Sequence, residues 1–231
     1  LERLGRFMDL LLTANKTTNL TAITDPAAAW MKHIFDAMTL VPVVASFTDD
    51  SPPAAGARTR VIDIGSGGGV PAIPLAVVLP EIDFTLLEAT GKKVTYLRET
   101  VAALGLRNVT VLNGRAEALG QDHKVHRERY DLATARALGH LAVVAELCGP
   151  LVRPGGLVLA VKGAKAEQEL AEAAKALGEI GLRHAETVAT PTGRLVVLEK
   201  TIRTPRLYPR RDGEPARLPL GVPESARSRP A

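Results

Sequence analysis

The run VIDIGSGGGVPAIPLA, Val61 to Ala76, constrains this chain more than any other. A β-branched strand meets Gly65, Gly67, Gly68 and Gly69, and a small-residue apolar segment, Pro71 to Val78, reads as a helix. Glycines crowd a turn in this way where a ligand must approach the main chain without a Cβ in between. The alternation continues downstream. DFTLLEA is a second strand; GKKVTYLRETVAALGL is a helix with Val94, Leu97, Val101 and Leu104 on one face and Gly105 as its stop. NVTVLNG, YDLATARA and GGLVLAVKG are further strands, the last preceded by a Pro154-Gly155-Gly156 turn. Helices fall near Ala116 to Leu119, at Leu141 to Leu151 and at Lys165 to Leu177. Strands alternating with helices imply a mainly parallel sheet covered on both faces. ETVAT and RLVVLEK are separated only by PTG, too short for a parallel crossover, so the last strand must run antiparallel. The expected fold is α/β, with a seven-stranded sheet.

Two extensions flank this unit. Residues 1 to about 16 read as an amphipathic helix with Leu1, Leu4, Met8, Leu11 and Leu12 on one side. Asn15 to Thr24 is polar and broken, and Asp25-Pro26 then opens a helix that passes Trp30, Ile34 and Met38 to about Leu40 or a little beyond, with a kink at Pro42. Thr48 to Arg60 has linker composition. The expected organisation is a helical extension over 1–57, a central domain over 58–202 and a tail over 203–231. The net charge of +4 lies entirely in that tail, which carries seven arginines and three acids. A Pro- and Arg-rich end suits a phosphate backbone; a solvated, partly disordered end is the equal alternative. The single cysteine, Cys148, permits no intrachain disulfide and reads as a small buried residue of a helix. The longest apolar stretch holds Lys32, His33 and Asp36, and no export pattern opens the chain, so a cytoplasmic location without membrane contact is expected.

The glycine turn excludes two common ligands. A triphosphate cradle needs Gly-Lys-Ser/Thr after its glycines, and no lysine follows this loop before Lys92. The dinucleotide fingerprint needs Gly or Ala where Val70 stands. What remains is Asp63, Gly65, Gly67 and Gly69 in the spacing D-x-G-x-G-x-G, which resembles the S-adenosylmethionine loop of the Rossmann-like class I methyltransferases. That cofactor has no phosphate; its amino acid and ribose need close main chain and an acid at the end of the next strand. Glu88 stands there, 23 residues after Gly65. The reversed last strand also resembles this methyltransferase class.

Absences narrow the acceptor. Methylation of an exocyclic amine usually employs an Asn/Asp-Pro-Pro-aromatic motif after the fourth strand, where this chain has Thr134-Ala135-Arg136-Ala137. Methylation at pyrimidine C5 needs a cysteine nucleophile, and Cys148 lies inside a helix. A ring nitrogen such as guanine N7 needs neither device.

Over nearly its whole length the chain is similar to the RsmG, or GidB, family of bacterial 16S rRNA guanine-N7 methyltransferases. The matching segments are NLTAI (19–23), HIFDAMTL (33–40), DIGSGGGVPAIPLA (63–76), LLEATGKKVTYL (86–97), GRAE (114–117), ARA (135–137), KG (162–163), GRLVVLEK (193–200) and YPRRDGEPARLPL (208–220). The resemblance implies S-adenosyl-L-methionine as cofactor, no metal, and 16S rRNA or a small-subunit precursor as partner; a monomer is expected. It implies that Gly65 and Val70 line the cofactor loop, that Ala116 and Glu117 flank the adenine, and that Arg136 sits between cofactor and target. Asn19, His33, Lys92, Arg115 and Lys162 match polar positions around the pocket and RNA face, with Asn19 equally a turn residue and His33 equally structural. Tyr208, Arg210 and Arg211 join an aromatic to cations, as RNA-contacting surfaces do. Two departures stand out: Ala72 where the family has glycine, and Glu88 where it commonly has aspartate. The competing readings are a methyltransferase for a small molecule or protein, a non-catalytic cofactor-binding RNA module and, more remotely, a nicotinamide oxidoreductase.

Overall fold

The computed structural model describes residues 1–224. Arg227, Arg229 and the rest of the tail beyond Glu224 lie outside the described residues. Seven strands form one sheet in the order β3-β2-β1-β4-β5-β7-β6: β1 Arg60–Ile64, β2 Asp83–Glu88, β3 Val109–Asn113, β4 Tyr130–Arg136, β5 Val152–Lys162, β6 Leu182–Thr190 and β7 Gly193–Lys200. By compactness the chain divides into two units, Leu1–Gly114 with Thr190–Thr192, and Arg115–Ala189 with the chain from Gly193 onward.

In the first unit β1 pairs parallel with β2, and β2 with β3, so that Asp63 lies opposite Leu86 and Glu88 opposite Asn113. The ladder is apolar because helices cover it. Ile73, Leu75 and Ala76 of α5 (Ala72–Val78) and Val94 and Leu97 of α6 (Gly91–Leu104) are buried with Val61, Ile62, Phe84 and Leu86. The helix α1 (Glu2–Thr18) buries Leu4, Phe7, Met8 and Leu11, one face at helical spacing, and packs on α5 and α6. The second helical region starts as its sequence requires, with the Asp25 carboxylate accepting from Ala28 N at 2.7 Å. It runs as α2 (Pro26–Ala29), a π-wound turn over Trp30–Phe35, and α3 (Asp36–Met38). Pro42 does not kink it. The helix ends at Thr39, and Pro42 sits in the first turn of a new helix, α4 (Val41–Asp50), where a missing N–H costs nothing. The linker therefore begins at Ser51, not at Thr48.

In the second unit β4 pairs parallel with β5, and β5 antiparallel with β7, so β7 is reversed against the parallel strands; β6, joined to it by the short PTG connection, is its neighbour at the sheet edge. The Pro-Gly-Gly stretch does not precede β5 but lies within it, at a register shift opposite Tyr130 and Leu132. Gly156 is required there, since a Cβ would collide with Asp131 O. α7 is Ala116–Gly120, and every residue of α8 (Leu141–Cys148) is buried, Cys148 included. The helix expected over 165–177 is two, α9 (Ala166–Glu172) and α10 (Ala174–Ile180). β6 starts at Leu182, four residues earlier than its apolar pattern showed, because an edge strand exposes alternate polar residues. After β7 the chain packs against this unit through a last short helix, α11 (Glu214–Arg217); its described part is not a solvated end.

Candidate functional site

The first unit carries the glycine turn at the carboxyl end of β1. Gly65, Gly67 and Gly69 have φ of +69°, +49° and +84°, a region side chains resist. The turn is tied to the neighbouring strand: Gly65 N and Ser66 N donate to Leu87 O at 2.9 and 3.1 Å. Glu88, 7 % exposed, closes the arrangement. Its Oε2 accepts from Gly67 N at 3.0 Å and its Oε1 from Thr90 N at 2.8 Å. A carboxylate has about four lone-pair directions, so each oxygen keeps acceptor capacity for a hydroxyl. Asp63 is buried beneath the turn, Val70 is half-buried, and Tyr96 donates to Gly68 O at 3.4 Å. A carboxylate beside bare main chain fits a ribose diol.

The amino-terminal helices reach the same turn. A Cβ on Gly68 would come within 2.9 Å of Leu11 Cδ1 and 3.5 Å of Leu20 O. The polar stretch after α1 is organised by Asn15: its Oδ1 accepts from Leu20 N and Thr21 N at 2.7 and 2.9 Å, and its Nδ2 donates to Thr21 O at 2.8 Å. Thr21 Oγ1 in turn lies 3.1 Å from Nε2 of the buried His33. Asn19 is exposed and takes a left-handed conformation, φ 47°, as the cap of α1. Buried Asp36 accepts from Thr192 N at 3.1 Å and also bonds its hydroxyl.

In the second unit Ala116 and Glu117 open α7 and are both buried. Glu117 Oε1 accepts from Gly213 N at 2.9 Å, and Arg115, exposed, lies 4.0 Å from Asp212. Arg136 ends β4, half-buried. The segment after β7 is held by groups the sequence did not mark. Arg127 is buried and donates to the main-chain oxygens of Gly120, Thr204, Pro205 and Tyr208 at 2.6–3.1 Å. Loss of hydration holds its guanidinium below the usual arginine range. Lys200, fully buried, donates to Ile180 O at 2.9 Å and to Thr204 Oγ1, and burial lowers its pKa from 10.5 to about 7.

The model of the GidB family, rRNA small subunit methyltransferase G, matches residues 1–196. The chain belongs to this family. It is 46 % identical over 209 residues to the ribosomal RNA small subunit methyltransferase G of Sorangium cellulosum, covering 90 % of this chain and 83 % of that one. It is 40 % identical over 225 residues to that of Leuconostoc citreum, covering 95 % and 91 %. Among solved structures, an S-adenosylmethionine-dependent methyltransferase from Aquifex aeolicus superposes with a TM-score of 0.53 at 19 % identity, over 75 % of this chain and 93 % of that one. A ribosomal protein L11 methylase from Lactobacillus delbrueckii gives 0.52 at 16 %, over 71 % and 79 %. At these identities the likeness speaks for the fold, that of a Rossmann-like class I methyltransferase.

For a GidB family member, the expected RNA-facing side chains divide into two sets. Lys92, Arg115 and Arg211 are exposed. Lys162, Tyr208 and Arg210 are engaged with partners inside the second unit. Lys162 donates to Glu169 and to Gly139 O, both at 2.6 Å. The Tyr208 hydroxyl bonds Glu179, and that bond, with burial, pushes its pKa up to about 12. Arg210 Nε lies 2.8 Å from Glu146 Oε1 and its Nη2 2.6 Å from Oε2, and this pairing raises its pKa. A carboxylate within AVVAELC, an apolar helix, was the available signal that a cation must come to meet it. Arg127 and Asn15 carried no comparable signal. Among the described residues no group of three or more His, Cys, Asp or Glu side chains could hold a metal ion, and no helix is long and apolar enough to cross a membrane.

Proposed function

We propose that this chain transfers the methyl group of S-adenosylmethionine to guanine N7 in the decoding-region loop of 16S rRNA, in the cytoplasm and as a monomer. The observation that carries the reading is the closure of the Glu88 carboxylate on the Gly67 amide, in a chain that matches the family over residues 1–196.

Bound S-adenosylmethionine supplies a methyl group made electrophilic by its sulfonium. Glu88 accepts hydrogen bonds from the ribose hydroxyls, while Gly65, Gly67, Gly69 and Val70 bring main chain against the cofactor above the buried Asp63. The extra methylene of Glu88, relative to aspartate, is taken up by its bond to Gly67. Ala116 and Glu117 flank the adenine. Guanine N7 has a lone pair and no proton to lose, so no side chain is assigned as general base; alignment supplies the catalysis. Arg136 does not donate to N7, because that lone pair is the nucleophile, and a cation gives no Coulomb help to a base that becomes cationic. Its planar fork suits the cofactor carboxylate or an RNA phosphate. His33, held by Thr21, and Asn19 are candidates for the target-base side. Lys92, Arg115 and Arg211 meet RNA phosphate.

The test incubates the protein with S-adenosylmethionine labelled in the methyl group and small-subunit RNA or precursor particles lacking the modification, then maps the label. Label at a guanine N7 is the expected result; label on an exocyclic amine, on pyrimidine C5 or only on protein overturns the reading. Arg136→Lys is expected to raise the cofactor or RNA requirement by roughly tenfold or more, as loss of a bidentate contact does.

A further inference from the structure

The segment that leaves β7 is gripped at four places within its own unit. Lys200 and Arg127 hold it at Thr204 and Pro205, Arg127 again at Tyr208 O, and Gln121 Nε2 donates to Arg206 O and Pro209 O at 3.2 and 2.8 Å. Glu146, with no exposed surface, takes Arg210 through both side chain and main-chain N. These anchors fix residues 204–210. The next contact again joins a main-chain N–H to a carboxylate, this time beside a cavity. Gly213, at φ +74°, aims its N–H at a side chain, the Glu117 carboxylate, at 2.9 Å. A cavity of about 420 Å³ opens beside this contact, with Glu117, Ala118 and Gln121 on one wall and Pro209, Arg211 and Asp212 on the other.

We infer that residues 204–214 are a positioning element of the cofactor site, which sets the Glu117 carboxylate through the Gly213 amide. The inference rests on the reading that Glu117 flanks the cofactor's adenine. With Oε1 occupied by Gly213, the side chain is held in one rotamer and Oε2 is presented to a ligand N–H or O–H donor, the chemistry of a nucleoside. Without the amide the carboxylate is free to turn, and the cofactor must order it on binding. Cofactor and segment are then coupled, and the coupling is reciprocal: what the segment adds to cofactor affinity, the cofactor adds to retention of the segment.

The experiment uses the full chain. S-adenosylmethionine affinity is measured by calorimetry for the wild type, Gln121→Ala, Gly213→Ala, Glu117→Gln and the Gln121→Ala/Glu117→Gln pair, with steady-state kinetics and thermal melting alongside. Both Gln121 and Gly213 are exposed. Gln121→Ala leaves the main chain as it is, whereas Gly213→Ala strains a turn at φ +74° and so displaces the amide, with thermal melting reporting any loss of fold. The expected result is that Gln121→Ala and Gly213→Ala each raise the cofactor Kd about five- to tenfold, the usual size of such coupling. KM for the cofactor rises with it, while kcat stays within about twofold. Added to Glu117→Gln, Gln121→Ala has little further effect, since both act through one carboxylate. S-adenosylmethionine also slows tryptic cleavage after Arg206 and Arg211 in the wild type. An unchanged Kd in both segment variants, or losses that add fully to Glu117→Gln, overturns the inference while the wild type still binds. A wild type that does not bind S-adenosylmethionine overturns the underlying reading, and the inference with it.

Discussion

Glu146→Gln isolates the ion pair that anchors the carboxyl-terminal segment. In the native chain the Glu146 side chain is 0 % exposed and that of Arg210 15 %. Three side-chain contacts join them, Nε to Oε1 at 2.8 Å, Nε to Oε2 at 3.2 Å and Nη2 to Oε2 at 2.6 Å, and Arg210 N adds a fourth bond at 2.9 Å. Removing one partner of a buried pair costs about 3–5 kcal/mol, because the other charge is stranded without solvent. Glutamine is isosteric and keeps one oxygen for the main-chain N, and Arg210 keeps Leu218 O at 2.8 Å and the more distant Glu214 carboxylate at 3.5 Å, so the guanidinium is only partly stranded and the low end, about 3 kcal/mol, applies. For a chain of this size each kcal/mol moves the melting temperature by about 2–4 °C, and the expected fall is roughly 6–12 °C by calorimetry. Glu146→Gln combined with Arg210→Met removes the stranded guanidinium and should recover about half of the loss. A fall below about 3 °C, or a double variant less stable than the single, would refute the view that an uncompensated charge is what the pairing prevents.

Two further outcomes follow from buried polar groups. Lys200 titrates at about 7 in the folded chain against 10.5 when solvated, so between those values the unfolded chain binds a proton the folded chain lacks and stability rises with pH. Urea midpoints from pH 7 to 9 should show a slope of up to about 1.4 kcal/mol per unit that Lys200→Met removes; equal slopes would disprove it. Asn15→Ala deletes three hydrogen bonds of the turn that holds Thr21 beside His33. It should cost about 2 kcal/mol and speed proteolysis between residues 16 and 24, and unchanged cleavage there would assign the turn's order to Leu20 packing instead.

The local elements were legible because their causes are local. The helix start at Asp25, the helix stop at Gly105, the glycine turn and the reversal of the last strand each depend on residues a few positions apart. Glu88 was legible as well, since strand, loop, helix and strand place it at a fixed distance from Gly65. What resisted reading were interruptions within elements: the strand that runs through Pro154-Gly155-Gly156, and the helix that restarts at Val41. There the register of a neighbouring strand, or a first turn that needs no donor, overrode the residues' own preference.

Charge shows the same division more sharply. The amino acid sequence by itself determined that the excess cations lie from residue 203 onward and that a carboxylate sits in the apolar helix at position 146. Only the tertiary structure decided that Arg210 turns inward to that carboxylate, 64 residues away along the chain, while Arg211 next to it stays in water. A guanidinium serves a phosphate and a carboxylate equally well, and which one it meets depends on what folding brings within three ångströms.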